Sequence, residues 1–201
     1  MITLAIDTST HRGNVVVMEN GLVVFDEDFT GDRSCSSHLF DCLERALQIA
    51  LRFDQIAIGL GPGSYSGVRI AISAAIGIEF GLNLPLIGIA STTVLETEAA
   101  HYQTIGDARR GTFYYAKIQE GICIEGPLLL TQEELKEKLA QHPFLPVLTS
   151  DSLPDFPEAK WTHPSAVKLA RLAEHGHGIH SRGDLEPIYL RAPHITLPKN
   201  R

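Results

Sequence analysis

The sequence predicts an α/β fold of two tandem units, each a mixed sheet with βββαβα order. Three observations lead there. Asn20-Gly21 separates two short apolar runs, the strongest local signal for a hairpin. A glycine-rich stretch, Gly61-Pro62-Gly63-Ser64-Tyr65-Ser66-Gly67-Val68-Arg69, joins a strand-like run to a long helix-like one. The second half then repeats the order in weaker form.

Residues 2–6 form a short apolar strand that ends in Asp7-Thr8-Ser9-Thr10. Strands 15–18 and 22–28 flank the Asn-Gly turn. The next segment carries Leu39, Leu43, Ala46, Leu47 and Ala50 at helical spacing, which predicts a helix over residues 37–51. Strand 55–60, the glycine stretch, helix 68–80 and strand 85–89 complete the first unit, and a short helix is expected over 93–100. In the second half, residues 102–105, 112–119 and 122–130 read as strands, the last two joined through Glu120-Gly121. Thr131-Gln132-Glu133-Glu134 has capping-box spacing and opens a helix to about residue 140. A strand follows over 144–149. Pro164 suits the first turn of a helix that Gly176 ends after His175. The division is therefore placed at 1–101 and 102–201. A tandem pair of this kind is the layout of ribonuclease-H-like folds, the actin-like ATPase superfamily among them.

Bulk composition narrows the function. The 201 residues are 44% hydrophobic and 20% charged, proportions of a globular protein rather than a disordered one. Seventeen basic against 24 acidic residues give a net charge of −7, so a protein gripping nucleic acid by itself is not expected. The first residues lack a basic leader, and Arg69, Ser73 and Glu79 interrupt the longest apolar stretch. Cys35, Cys42 and Cys123 show no paired spacing and read as free thiols of a reducing, cytoplasmic setting.

Candidate sites each have a plain alternative. Asp7, Thr8 and Ser9 at a strand end, with Gly61, Gly63, Ser64 and Gly67 at a helix start, could hold metal and phosphate, since the first amides of a helix attract anions. They could equally be turns that satisfy backbone groups. The matching region of the second half, Thr149-Ser150-Asp151-Ser152-Leu153-Pro154, has no glycine, which weighs against a working ATPase. Helix 68–80 is apolar nearly all round: Val68, Ile72, Ala75 and Ile76 can face a sheet, while Ile70, Ala71, Ala74, Gly77 and Ile78 extend the apolar surface. Such a helix is buried on both sides or packs against another molecule, with helix 37–51 as its neighbour. His175, His177 and His180 are the single histidine cluster, and no carboxylate or cysteine set accompanies them; His38 and His101 stand alone. Asp107-Ala108-Arg109-Arg110-Gly111 is either a wet turn or a lip of a cleft between the halves.

Four motifs in order, Ala5-Ile6-Asp7-Thr8-Ser9-Thr10, the glycine stretch through Arg69, Asp107-Ala108-Arg109-Arg110-Gly111 before Tyr114, and Pro187-Ile188-Tyr189-Leu190-Arg191, resemble the bacterial TsaB (YeaZ) family over nearly the whole chain. The resemblance implies a two-lobed actin-like fold and a part in making threonylcarbamoyladenosine beside the tRNA anticodon. In that system TsaD transfers the threonylcarbamoyl group, TsaB is its paralogous partner, and the small ATPase TsaE joins them. TsaD-type enzymes carry a His-x-x-x-His metal motif after the strand that corresponds to 85–89. Here the region reads Ser91-Thr92-Thr93-Val94-Leu95, which offers no imidazole. The resemblance therefore implies a non-catalytic subunit with no cofactor or metal of its own, tRNA contacted only indirectly and no membrane. A nucleotide at a vestigial or partner-shared site is left open. It also implies that helices 37–51 and 64–82 dock TsaD, or a second copy when the chain is alone, through Leu39, Leu43, Leu47, Ile70, Ala71, Ala74, Gly77 and Ile78. The competing expectation is an ATP-binding phosphotransferase using Asp7, Thr8 and the glycine stretch.

Overall fold

The computed structural model describes residues 1–30, 35–50, 52–181 and 184–191, with the side chains of Cys35 and Ser36 outside that description. Strands β1 (Ile2–Asp7), β2 (Arg12–Glu19) and β3 (Leu22–Thr30) form an antiparallel meander. Asn20 and Gly21 turn the first hairpin at φ 51° and 80°, the left-handed values that a two-residue turn requires. Helix α1 (Cys35–Leu47) leads to β4 (Gln55–Gly59), parallel to β1. Helix α2 (Tyr65–Leu82) leads to β5 (Leu86–Ile89), parallel to β4.

The second half repeats this plan. Strands β6 (His101–Asp107), β7 (Phe113–Gln119) and β8 (Ile122–Leu130) are an antiparallel meander. Helix α3 (Gln132–Ala140) leads to β9 (Val147–Thr149), parallel to β6, and β10 (Lys160–Trp161) is parallel to β9. The orders β3-β2-β1-β4-β5 and β8-β7-β6-β9-β10 match strand for strand, directions included. These are two tandem ribonuclease-H-like units, as the sequence predicts. The second unit has no helix between β9 and β10. Phe156, 1% exposed, fills that space and meets Phe113 edge-on at 5.1 Å.

Alternation along β1 and β2 makes the first sheet two-faced. Leu4, Ile6, Val15 and Val17 pack under α1 and α2, together with Leu39, Cys42, Val68, Ala71 and Ala75. Ala5, Val16, Met18 and Ala57 point the other way, where α4 (Ala166–Glu174) covers them through Ala166, Leu169, Ala170 and Ala173. The strand after it, β11 (Ile179–Ser181), pairs antiparallel with β5. The chain beyond residue 165 thus returns to the first sheet. The small side chains of α4 fit that face, and Asn14 Oδ1 of β2 accepts from Ala166 N at 2.8 Å.

Several expectations need correction. In place of a helix over 93–100 there is one 3-10 turn, Ser91–Thr93, followed by bends and a single bridge at Leu95. Val94 and Leu95 are both buried between the sheets, Leu95 bridges Pro164, and Glu96 N donates to His163 O at 2.7 Å. Tertiary pairing outbids a helix that β-branched Thr92, Thr93 and Val94 already disfavour. Strand β9 starts at Val147 rather than Phe144, which stands 97% exposed in a turn where Leu145 N donates to His142 O at 3.1 Å. Helix α1 ends at Leu47, Ala50 lies beyond it, and the expected helix end at Leu51 lies outside the described residues. Helix α4 starts at Ala166, so Pro164 precedes it rather than sitting in its first turn, and Ser165 caps it, its hydroxyl accepting from Lys168 N.

Helix α3 has the full capping box: Thr131 Oγ1 accepts from Glu134 N at 3.3 Å and Glu134 Oε2 accepts from Thr131 N at 2.8 Å. Thr131→Ala is expected to lower stability by about 1 kcal/mol, as measured by urea unfolding.

Candidate functional site

Strands β1 and β4 run parallel, and their carboxyl ends open toward the second sheet, where α/β folds place ligands. Asp7 closes β1 and is 1% exposed. Its Oδ1 accepts from Ser9 N at 2.8 Å and Ser9 Oγ at 2.7 Å, and its Oδ2 accepts from Ser91 Oγ at 2.6 Å. Ser91 Oγ also accepts from Gly61 N at 3.0 Å. Burial pushes the Asp7 carboxyl above the usual carboxylate range, against the pull of the Ser91 and Ser9 hydrogen bonds. Both oxygens of the acid are thus committed to the protein's own donors.

The glycines of the loop are set by proximity. A Cβ on Gly63 would lie 2.0 Å from Ser9 O, and one on Gly67 would lie 2.2 Å from Thr8 O. Gly59, before the loop, leaves room for Asp7: a Cβ there would sit 1.9 Å from Oδ2. Ser64 N donates to Ser9 O at 2.6 Å, and the Thr8 hydroxyl donates to Gly67 O at 2.7 Å. Ser64 Oγ then caps α2 by accepting from Gly67 N. Three amides that could face an anion, those of Gly61, Ser64 and Gly67, therefore face Ser91, Ser9 and the Ser64 cap.

The structure brings all four sequence motifs together here. Ile188 N donates to Leu60 O at 2.8 Å, fastening the C-terminal motif beside the glycine loop. Arg69 Nε donates to Tyr189 Oη at 2.9 Å, while its guanidinium lies 4.4 Å from the centre of the Tyr65 ring. Arg191 reaches the hydroxyl of Thr112, just beyond the Asp107–Gly111 turn. That turn is largely wet: Arg109, Arg110 and Gly111 all have positive φ, and the Arg109 side chain is 86% exposed. Its start faces inward, for Asp107 N donates to Asp151 Oδ2 at 2.8 Å. Burial raises the Asp151 carboxyl pKa, and Tyr114 beside it is also buried with its phenol pushed up. The cleft between Ser9, Gly63, Ser91, Tyr114 and Asp151 holds ≈ 20 Å³, room for about one water.

The expected partner-docking residues divide. Leu39, Leu43 and Ala71 are 0%, 3% and 0% exposed and belong to the core under α1 and α2, so they have no surface to offer. Leu47, Ile70, Ala74 and Ile78 are half-buried and Gly77 is exposed. Around them Phe80, Leu82, Tyr65 and Phe40 are exposed at 89%, 52%, 53% and 54%. The histidine cluster does not converge: His175 Nδ1 lies 2.7 Å from Arg171 O at the end of α4, and His180 is exposed on β11. Among the described residues no three His, Cys, Asp or Glu side chains meet as metal ligands. Burial raises the Cys42 thiol to about 11, which removes it from thiolate chemistry. Two contributors escaped sequence reasoning. Ser91 is legible only as a missing histidine, and Gly59 only as a residue within strand 55–60.

Comparison with known proteins gives this geometry a context. The TsaD family profile, described as tRNA N6-adenosine threonylcarbamoyltransferase, matches residues 33–129. The TsaB protein of Escherichia coli, described as a tRNA threonylcarbamoyladenosine biosynthesis protein, is 30% identical over 129 residues, 59% of this chain and 55% of that one. An uncharacterized protein of Mycobacterium tuberculosis is 29% identical over 94% of this chain and 92% of its own length. The structure of YeaZ from Pseudomonas aeruginosa superposes with a TM-score of 0.71 at 25% identity, covering 94% of this chain and 99% of that one.

Two outcomes follow from the packing. Gly63→Ala is expected to cost about 2 kcal/mol or more by forcing Ser9 away. Gly77→Ala, where a Cβ meets nothing within 4 Å on an exposed helix face, should stabilise by about 0.5–1 kcal/mol; chemical denaturation of both variants checks the contrast. Because the folded-state pKa of Asp7 stands above its unfolded value, the folded chain retains a proton that the unfolded chain has released between the two. Stability therefore falls as pH rises from the ordinary value of 3.8 through the folded pKa. Asp7→Asn should flatten that part of the urea-stability profile, and an unchanged slope would show that Asp7 does not titrate there.

Proposed function

Because the chain belongs to the TsaB (YeaZ) family, we propose that it is a non-catalytic subunit required for threonylcarbamoyl transfer to the tRNA adenosine beside the anticodon. In this reading it docks and organises TsaD through α1 and α2, works in the cytoplasm alongside TsaE, and pairs with itself through the same face when alone. The observation that carries the reading is the outer face of α2. One side, with Gly67, Val68, Ala71, Ile72 and Ala75, is built into the core, while Ala74, Gly77, Phe80 and Leu82 stay on the surface. Apolar surface kept on a well-packed helix marks an association site, and small residues there permit close helix-to-helix approach. α2 is also long and apolar enough to cross a membrane, but its inner side is occupied by the sheet.

The commitments of Asp7, Thr8 and the loop amides support a vestigial nucleotide loop that aims α2 rather than one that binds phosphate. The net charge of −7 agrees with tRNA being held mainly by partners. The alternative, an ATP-binding phosphotransferase, would need those contacts to open, and calorimetry with ATP and magnesium distinguishes the two.

Ala74→Arg would place a charge in the desolvated helix contact, at a cost on the order of 2–5 kcal/mol. Its side-chain position is half-exposed in the isolated chain, so the variant is expected to fold. Co-elution with TsaD should be lost, and so should tRNA modification reconstituted from TsaD, TsaE and this chain. Unchanged co-elution with normal modification would overturn the docking reading.

A further inference from the structure

Trp161, His11 and His163 form an aromatic cluster whose rings take part in no contact described above. The His11 ring stacks on Trp161 with centroids 5.7 Å apart and meets His163 edge-on at 5.0 Å, while Trp161 meets His163 at 4.1 Å. Trp161 is nevertheless 58% exposed, on a two-residue strand at the edge of the second sheet. His163 is the reverse: it is 5% exposed, and among the described residues its Nδ1 is buried with no hydrogen-bond partner. A buried ring nitrogen left unpaired is costly and rare enough to need an explanation. The chain neighbours of these residues, Thr10 and Pro164, line the cleft between the sheets together with Ser9 and Asp151. The cluster therefore stands at the mouth of that cleft.

The charges around it say what kind of ligand fits. Arg12 is tied to Asp28 at 2.5 Å and to Glu96 at 3.4 Å, and Asp151 faces the same cleft. Arg12, the arginine that bears on His163, is thus already paired with two carboxylates. A broad exposed indole with a second ring stacked on it suits a planar, neutral ring.

We propose that His11, Trp161 and His163 form a stacking site for a nucleobase, which lies on the indole face with its phosphate directed to solvent. A free nucleotide and an unstacked RNA base share this chemistry. The site uses no residue of α1 or α2, so it goes beyond the docking reading and can fail without it.

Trp161 is the chain's one tryptophan, so emission excited at a wavelength only indole absorbs reports on this place alone. The full chain is titrated with adenosine monophosphate, with ribose 5-phosphate and with a synthetic anticodon stem-loop. Saturable quenching by the nucleotide, the stem-loop or both supports the site and identifies its source. Quenching by neither, or equal quenching by ribose 5-phosphate, overturns it. Calorimetry with the quenching ligand should find Trp161→Ala weakened about tenfold, and Trp161→Phe, which keeps a stacking face, weakened about threefold or less. Unchanged affinity in Trp161→Ala would likewise overturn the proposal.

Discussion

The architecture depends on how closely the end of β1 approaches the loop that starts α2. Backbone meets backbone there, Ser64 N to Ser9 O at 2.6 Å, with a buried carboxylate below and no side chain between. Asp7 binds the turn after its own strand through Ser9 and the end of β5 through Ser91, and Ser91 holds the first glycine of the loop. Three segments far apart in sequence are thereby locked at one point. A buried acid is costly unless its oxygens are satisfied, and here that requirement fixes the relative positions of all three. Once the loop is seated on Ser9, the direction of α2 is set, and with it the side of the helix that reaches solvent.

Local chemistry made much of this legible. The Asn20-Gly21 turn, the Thr131 capping box and the glycine loop are patterns whose physical meaning is complete within a few residues, and each is found where the sequence places it. What escaped were choices made by distant partners. Helix α2 is apolar nearly all round, so its sequence carries no phase; nothing in composition separates Ala71, which is core, from Ala74, which is not. Helix α4 reads well as a helix, yet which sheet it covers depends on the small residues left bare on the reverse face of β1 and β2. Ser91 drew notice as an absent imidazole, whereas its hydroxyl bridges Asp7 and Gly61.

The two units have diverged within one strand order. Where the first carries the glycine loop and α2, the second passes from β9 to β10 through Asp151 and the buried Phe156. The acid that succeeds β9 accepts from Asp107 N and so serves its own sheet's lip. One unit thus presents a long apolar helix where the other fills the space with a buried ring.

The return of α4 and β11 has a consequence for how the protein is made. Among the described residues, the reverse face of the first sheet, with Ala5, Val16, Met18, Ala57 and Ile87, is covered by Val94 and by Ala166, Leu169, Ala170 and Ala173 of α4. On a ribosome adding about 5–20 residues per second, the part under α4 stays bare for several seconds after β5 has emerged. The strands synthesised first therefore finish folding last, when the end of the chain arrives to cover them. A product cut short before α4 would keep an apolar sheet face open, a mark by which chaperones and proteases tell an incomplete chain from a finished one.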